Sequence, residues 1–197
     1  NAIVTYIIED QPEDSPIPNG VFLQSESTGP AIFIPNTEGQ TYSAPEVGDV
    51  VGLTVDSVTE NAPFLAQLRS KDAPRVSTTN ISWFQVLTED ALAFQLVHDF
   101  DLYNVEPESG TLFQNRVVSG SLLVTTRMKP LGPDLLSAKV QLARNGITEQ
   151  VHLIVSSALA NATRLQRGCQ LRVQGVPVWK GPDGFYLLAM RESELTL

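Results

Sequence analysis

The chain holds one cysteine, Cys169, and two histidines, His98 and His152, in 197 residues. A single thiol excludes an internal disulfide framework and any thiolate-rich zinc site, and the two imidazoles stand far apart without a ligand-spaced partner. No metal and no other cofactor is therefore expected, and a chain free of disulfides fits a reducing intracellular compartment. No apolar run approaches the roughly 20 residues that span a bilayer as a helix, which predicts a soluble protein with no membrane partner. The chain opens at Asn1 rather than Met, as a fragment or a processed product would.

Catalytic signatures are missing as well. There is no phosphate-loop glycine pattern, no G-x-S-x-G, no H-E-x-x-H and no Cys/His pair within plausible reach. The acids Glu89 and Asp90, or Asp99 and Asp101, read as surface charge, because nothing beside them would raise a carboxyl pKa. The expectation is a protein that is not an enzyme.

Cations are scarce in one part of the chain only. Residues 1–110 carry 17 Asp and Glu against 3 Lys and Arg, a net of −14, whereas residues 111–197 carry 5 against 10, a net of +5; together they give the overall −9. Such asymmetry predicts two regions with different surroundings, one repelling phosphate and one attracting it. Three segments are expected: an acidic barrel at 1–70, an aromatic-rich connector at 71–110, and a basic barrel at 111–197.

The basic part has the clearer pattern. Strands are predicted from Arg116 to Lys129 and from Leu135 to Arg144, divided by Pro130, Gly132 and Pro133. Asn145-Gly146 supplies a hairpin signal before a third strand, Glu149 to Ser156. A helix is expected from Ala158 to Arg167, closed by Gly168 as a left-handed cap, with Arg164 and Arg167 on its solvated side. Strands Gln170 to Trp179 and Phe185 to Arg191 end the series. This order of three strands, one helix and two strands resembles the oligonucleotide/oligosaccharide-binding (OB) fold, which implies a small Greek-key barrel. The fold class expected is thus mainly all-β, two small OB-like barrels in tandem, with one helix between strands 3 and 4 of the second.

In the acidic part, Ala2 to Ile8 is a strand opening, and Pro12, Pro16 and Pro18 mark Glu9 to Gly20 as an exposed loop. Val21–Ser25, Ala31–Pro35, Val47–Val58 and Phe64–Arg69 complete about five strands. Gly20-Val21-Phe22-Leu23, Ala31-Ile32-Phe33-Ile34 and Gly48-Asp49-Val50-Val51-Gly52-Leu53-Thr54-Val55 resemble the motifs of a cold-shock domain over residues 2 to 70. That family stacks bases on exposed aromatics beside basic residues. Here only Phe22 and Phe33 remain of that row and cations are nearly gone, so the family's nucleic-acid activity is not carried over; the two phenylalanines fit core positions equally well. From residue 71, Lys71 to Asn80 reads as a linker, and Ile81–Leu87 and Ala91–His98 as a hairpin or a strand and helix. Trp83, Phe84, Phe94, Phe100 and Tyr103 make the connector too apolar for a free tether, so it is expected to pack between the barrels, with a partner-binding patch as the alternative.

Alternation along a strand sorts side chains of the basic barrel into two faces. Leu122, Val124, Met128, Leu136, Ala138, Val140, Leu142, Val151, Leu153, Val155, Leu171 and Val173 would point inward. Arg127, Lys129, Lys139, His152 and Arg172 would then lie outside. Ligands of OB barrels lie against strands 2 and 3 and the loops joining strands 1 to 2 and 4 to 5. The second loop brings Trp179 and Lys180, with Tyr186 beside it, an aromatic-plus-cation set suited to base stacking and phosphate neutralisation. Arg127, Lys129, Lys139, His152, Arg172, Trp179, Lys180 and Tyr186 are accordingly the candidate nucleic-acid-binding residues, while an ordinary solvated barrel surface, with Trp179 capping the barrel end, would look the same in sequence. The leading expectation is single-stranded DNA or RNA bound by the second barrel and a protein partner met by the acidic first one. The alternative is a structural or assembly subunit, such as a virion, tail or scaffold component, forming homo-oligomers through its oppositely charged parts.

Overall fold

A computed structural model describes residues 1–9, 11, 15, 17–25, 31–36, 45–61, 76–88, 98–99, 114–142, 151–181 and 184–197. The elements run β1 (Ala2–Ile8), β2 (Gly20–Gln24), β3 (Ala31–Pro35), β4 (Val50–Asn61), β5 (Val76–Thr88), β6 (His98–Asp99), β7 (Val117–Val124), β8 (Lys129–Gly132), β9 (Leu135–Leu142), β10 (Val151–Ser156), α1 (Ser157–Ala162), β11 (Gln170–Gly181), β12 (Gly184–Ala189) and β13 (Leu195–Thr196). The protein is mainly β, with two OB-like barrels in tandem. In the first, β1, β2, β3, β5 and β4 close a barrel in that order, antiparallel except for β3 against β5. In the second, pairings run from β7 through β9, β10, β12 and β11 and return to β7, with β10 and β12 parallel. Closure of this kind leaves few backbone groups on open edges.

Three expected boundaries shift. The first barrel draws its last strand from β5, inside the stretch read as linker and connector, and so continues past residue 70. Expected strand Phe64–Arg69, the segments Ala91–Val97 and Phe100–Gly110, and the Asn145-Gly146 turn lie outside the described residues. In the second barrel, Lys129–Gly132 is not only turn but a short strand against β9. The helix is also shorter than predicted. Ser156 caps it by accepting from Leu159 N, at 3.1 Å, and it ends at Thr163, followed by Arg164 in the left-handed conformation (φ 50°); Gly168 also has a positive φ, 92°, but lies beyond the helix end. Arg164 and Arg167 therefore follow the helix rather than flank it.

Inside the second barrel, alternation decides the packing. Val151, Leu153 and Val155 from β10, Leu171 and Val173 from β11, and Phe185 and Leu187 from β12 meet Leu122, Val124, Ala138 and Val140 in one core, and α1 closes the end with Leu159 and Ala160. The first barrel's core is made of Ala2, Val4, Ile7, Val21, Leu23, Ile34, Val51 and Ile81. Between these two lies a third cluster that draws on both barrels: Tyr6, Ile8, Ile17, Phe22 and Phe33 against Val117, Leu135, Ile154, Trp179, Tyr186 and Leu188. A bulge in β1 between Val4 and Tyr6 creates the first barrel's share. Before it, even-numbered residues face that barrel's core; after it, Ile7 does, and Tyr6 and Ile8 turn toward the second barrel. Gly20 is glycine for a steric reason, since a Cβ there would sit 2.4 Å from the Ile34 carbonyl oxygen and 2.6 Å from the Phe33 ring.

Candidate nucleic-acid interface

Four of the candidate positions form one row across the second barrel. Lys139 on β9 lies opposite His152 on β10, His152 opposite Tyr186 on β12, and Tyr186 opposite Trp179 on β11. Exposure falls along that row: Lys139 is exposed, His152 half-buried, Tyr186 3% exposed and Trp179 fully buried. The His152 and Tyr186 rings stack at 4.7 Å.

The buried end corrects the expectation that Trp179 and Tyr186 offer stacking surfaces to bases. Trp179 stacks instead on Phe22 of the first barrel, at 6.2 Å, and Phe22 packs on Phe33 at 4.6 Å and edge-on to Tyr6 at 5.8 Å. Phe22 and Phe33, the positions that a cold-shock domain would expose, are thus covered by the second barrel, and Trp179 and Tyr186 are covered by the first. The two barrels are joined through these aromatic faces. Burial of large rings on both sides gives the reason: together they remove far more apolar surface from water than either could by remaining open.

The exposed end keeps its cations. Thr125 donates to the Lys139 carbonyl through both its N–H and its hydroxyl, each at 3.0 Å, and Lys139 N–H donates to Thr126 Oγ1 at 2.9 Å. These bonds hold the segment leading to Arg127 and Lys129 against β9, so Arg127, Lys129 and Lys139, all exposed, share one corner with His152 beside them. Arg172 is exposed elsewhere, on β11 between Ser121 and Thr196. The Lys180 side chain lies outside the described residues.

A second polar group, which sequence reasoning missed, ties the chain ends together. The Tyr6 hydroxyl donates to Glu194 Oε2 at 2.9 Å, and the same oxygen accepts from Met190 N–H at 2.7 Å and Arg191 N–H at 3.1 Å. Arg191 donates to the Ile7 carbonyl at 2.9 Å and its guanidinium lies 5.3 Å from the Tyr6 ring centre. Burial pushes the Glu194 carboxyl above its ordinary range, more than its hydrogen bonds pull it down. Burial, reinforced by the charge of Glu194, pushes Tyr6 well above its ordinary value. Arg116, at the start of the second barrel, is also buried, and desolvation lowers its pKa. Residues 188 apart in sequence offer no local pattern that would announce such a group. Among the described residues no cluster of His, Cys, Asp and Glu could hold a metal.

No protein-family model matches the chain, and comparison with curated proteins returns no relative. Among solved structures, the p204 HINb domain is similar at 14% identity and a TM-score of 0.35, covering 99% of this chain and 94% of that one. The ZRD-deleted mutant of TiaS in complex with agmatine is similar at 11% identity and a TM-score of 0.35, covering 56% of this chain; the chain spans only 29% of that structure. Superpositions this loose bear on neither ligand nor activity.

Proposed function

We propose that the protein is a non-catalytic binding module whose second barrel grips the sugar-phosphate backbone of single-stranded nucleic acid, while its acidic first barrel meets a protein partner. The observation that carries this reading is the exposed corner of Arg127, Lys129 and Lys139, with His152 beside it, at the open end of the β9–β10 face. With Trp179 and Tyr186 buried, recognition rests on charge rather than on stacking, and base identity matters little.

Titration of labelled oligo-dT and oligo-U at low and raised salt tests it. Three phosphate contacts on a single strand give a slope of about −2 in log K against log salt, and Lys139→Glu flattens it by about one unit. No binding at low salt would remove the proposal. The face-to-face burial of the two barrels also favours a second reading, a rigid structural subunit. Concentration-dependent oligomers in size-exclusion chromatography, weakened by salt and indifferent to oligonucleotide, would support that one instead.

A further inference from the structure

The β4–β5 ribbon of the first barrel carries two large apolar side chains that remain about half exposed. Trp83 on β5 keeps 47% of its surface in solvent and Leu87 keeps 45%. Isolated exposed apolar residues need no explanation, but these two converge. A Cβ on Gly52 of β4 would lie 2.7 Å and 2.8 Å from indole carbons of Trp83 and 3.2 Å from Leu87 Cδ1. The six-membered ring of the indole therefore lies against Gly52, with Leu87 beside it.

Three irregularities in the ribbon produce this geometry. The register passes from Val50 opposite Thr88 to Val51 opposite Val86, which leaves Leu87 unopposed. It passes from Thr54 opposite Trp83 to Val55 opposite Ile81, leaving Ser82, and then to Ser57 opposite Asn80, leaving Asp56. Bulges re-aim the side chains around them. Ile81 accordingly faces the barrel core, Trp83 two residues later faces solvent, and the two bulged residues meet, the Ser82 hydroxyl donating to Asp56 Oδ1 at 2.8 Å. Asp56 is exposed and follows Thr54, the residue opposite Trp83, by two positions on the same strand.

An indole face is electron-rich and attracts cations. The exposed carboxylate of Asp56, on the strand paired with Trp83, acts in the same direction, and so does the net charge of −14 over residues 1–110, which repels phosphate. We propose that this platform docks a basic segment of a partner polypeptide, with an Arg or Lys side chain over Trp83, its charge paired to Asp56 and its aliphatic stem against Leu87. The proposal rests on reading the first barrel as the protein-docking part and names the surface and the partner's chemistry; the ligand of the second barrel does not enter it.

The test is titration of the full chain with a short synthetic peptide alternating valine and arginine, followed by calorimetry and by tryptophan emission. Of the two tryptophans Trp179 is buried and Trp83 exposed, so a shift in the solvent-exposed emission reports contact at the platform. Trp83→Ala and Asp56→Asn should each weaken binding about tenfold, the order expected for a partly desolvated cation over an aromatic ring or its paired carboxylate. Trp83→Phe should retain most of the affinity, and unchanged buried emission from Trp179 confirms that each variant is folded. Lys139→Glu should leave peptide binding intact while it weakens oligonucleotide binding, which separates the two surfaces. Equal affinity in Trp83→Ala and the parent, equal binding of the same peptide with glutamate for arginine, or an oligonucleotide affinity that depends on Trp83 would each overturn the proposal.

Discussion

Replacing Trp179 by alanine separates the two roles open to that side chain more sharply than any other change. As a surface ring stacking on a base, its loss would leave the fold nearly untouched and weaken oligonucleotide binding by roughly 1–3 kcal/mol. As found, Trp179 is fully buried, stacked on Phe22 and surrounded by residues of both barrels. An indole buries about 150–250 Å², which at about 25 cal/mol per Å² is about 4–6 kcal/mol. Truncations of buried Phe and Trp to alanine cost about 3–5 kcal/mol, so both routes meet near about 4–5 kcal/mol. That is a large fraction of the about 5–15 kcal/mol that holds a typical domain folded. Urea unfolding followed by far-ultraviolet circular dichroism measures it. Because the ring lies between the barrels, the loss should appear in the transition of each, not only in the one that contains residue 179. A loss below about 1 kcal/mol together with weakened oligo-dT binding would refute the assignment of Trp179 to the inter-barrel core.

Two further outcomes follow from the same packing. Because burial raises Glu194, it holds its proton more tightly in the fold than in the unfolded chain; its contribution to stability is present below its unfolded pKa and lost as pH rises through the raised value. Urea midpoints measured from about pH 4 to pH 7 should show that decline in the parent and a flatter profile in Glu194→Gln. Gly20→Ala places a methyl group 2.4 Å from backbone and 2.6 Å from the Phe33 ring, so it should cost about 1–3 kcal/mol as an overpacked site does; an unchanged thermal midpoint would contradict the tight approach of β2 to β3.

Much of the second barrel is legible in its sequence because local chemistry fixes it. The alternation of Val151, Leu153 and Val155, or of Leu171 and Val173, sorts core from surface whatever the rest of the chain does. On β12 the side turned away from the core holds Tyr186 and Leu188, both apolar, and a strand that is apolar on both faces is covered on both. That pattern puts Tyr186, and Trp179 opposite it, on a covered face.

The main strands of the basic part, the residues that each turns to the core and the division of charge were therefore legible in the residue pattern, since each depends on near neighbours or on composition. The pairing of the two barrels, the supply of the first barrel's last strand by residues 76–88, and the union of Tyr6 with Glu194 were settled only by tertiary structure. The physical reason is that these depend on which buried surfaces meet. A flat aromatic face satisfies a base and a second barrel equally well, and alternation along the chain cannot say which of the two will cover it.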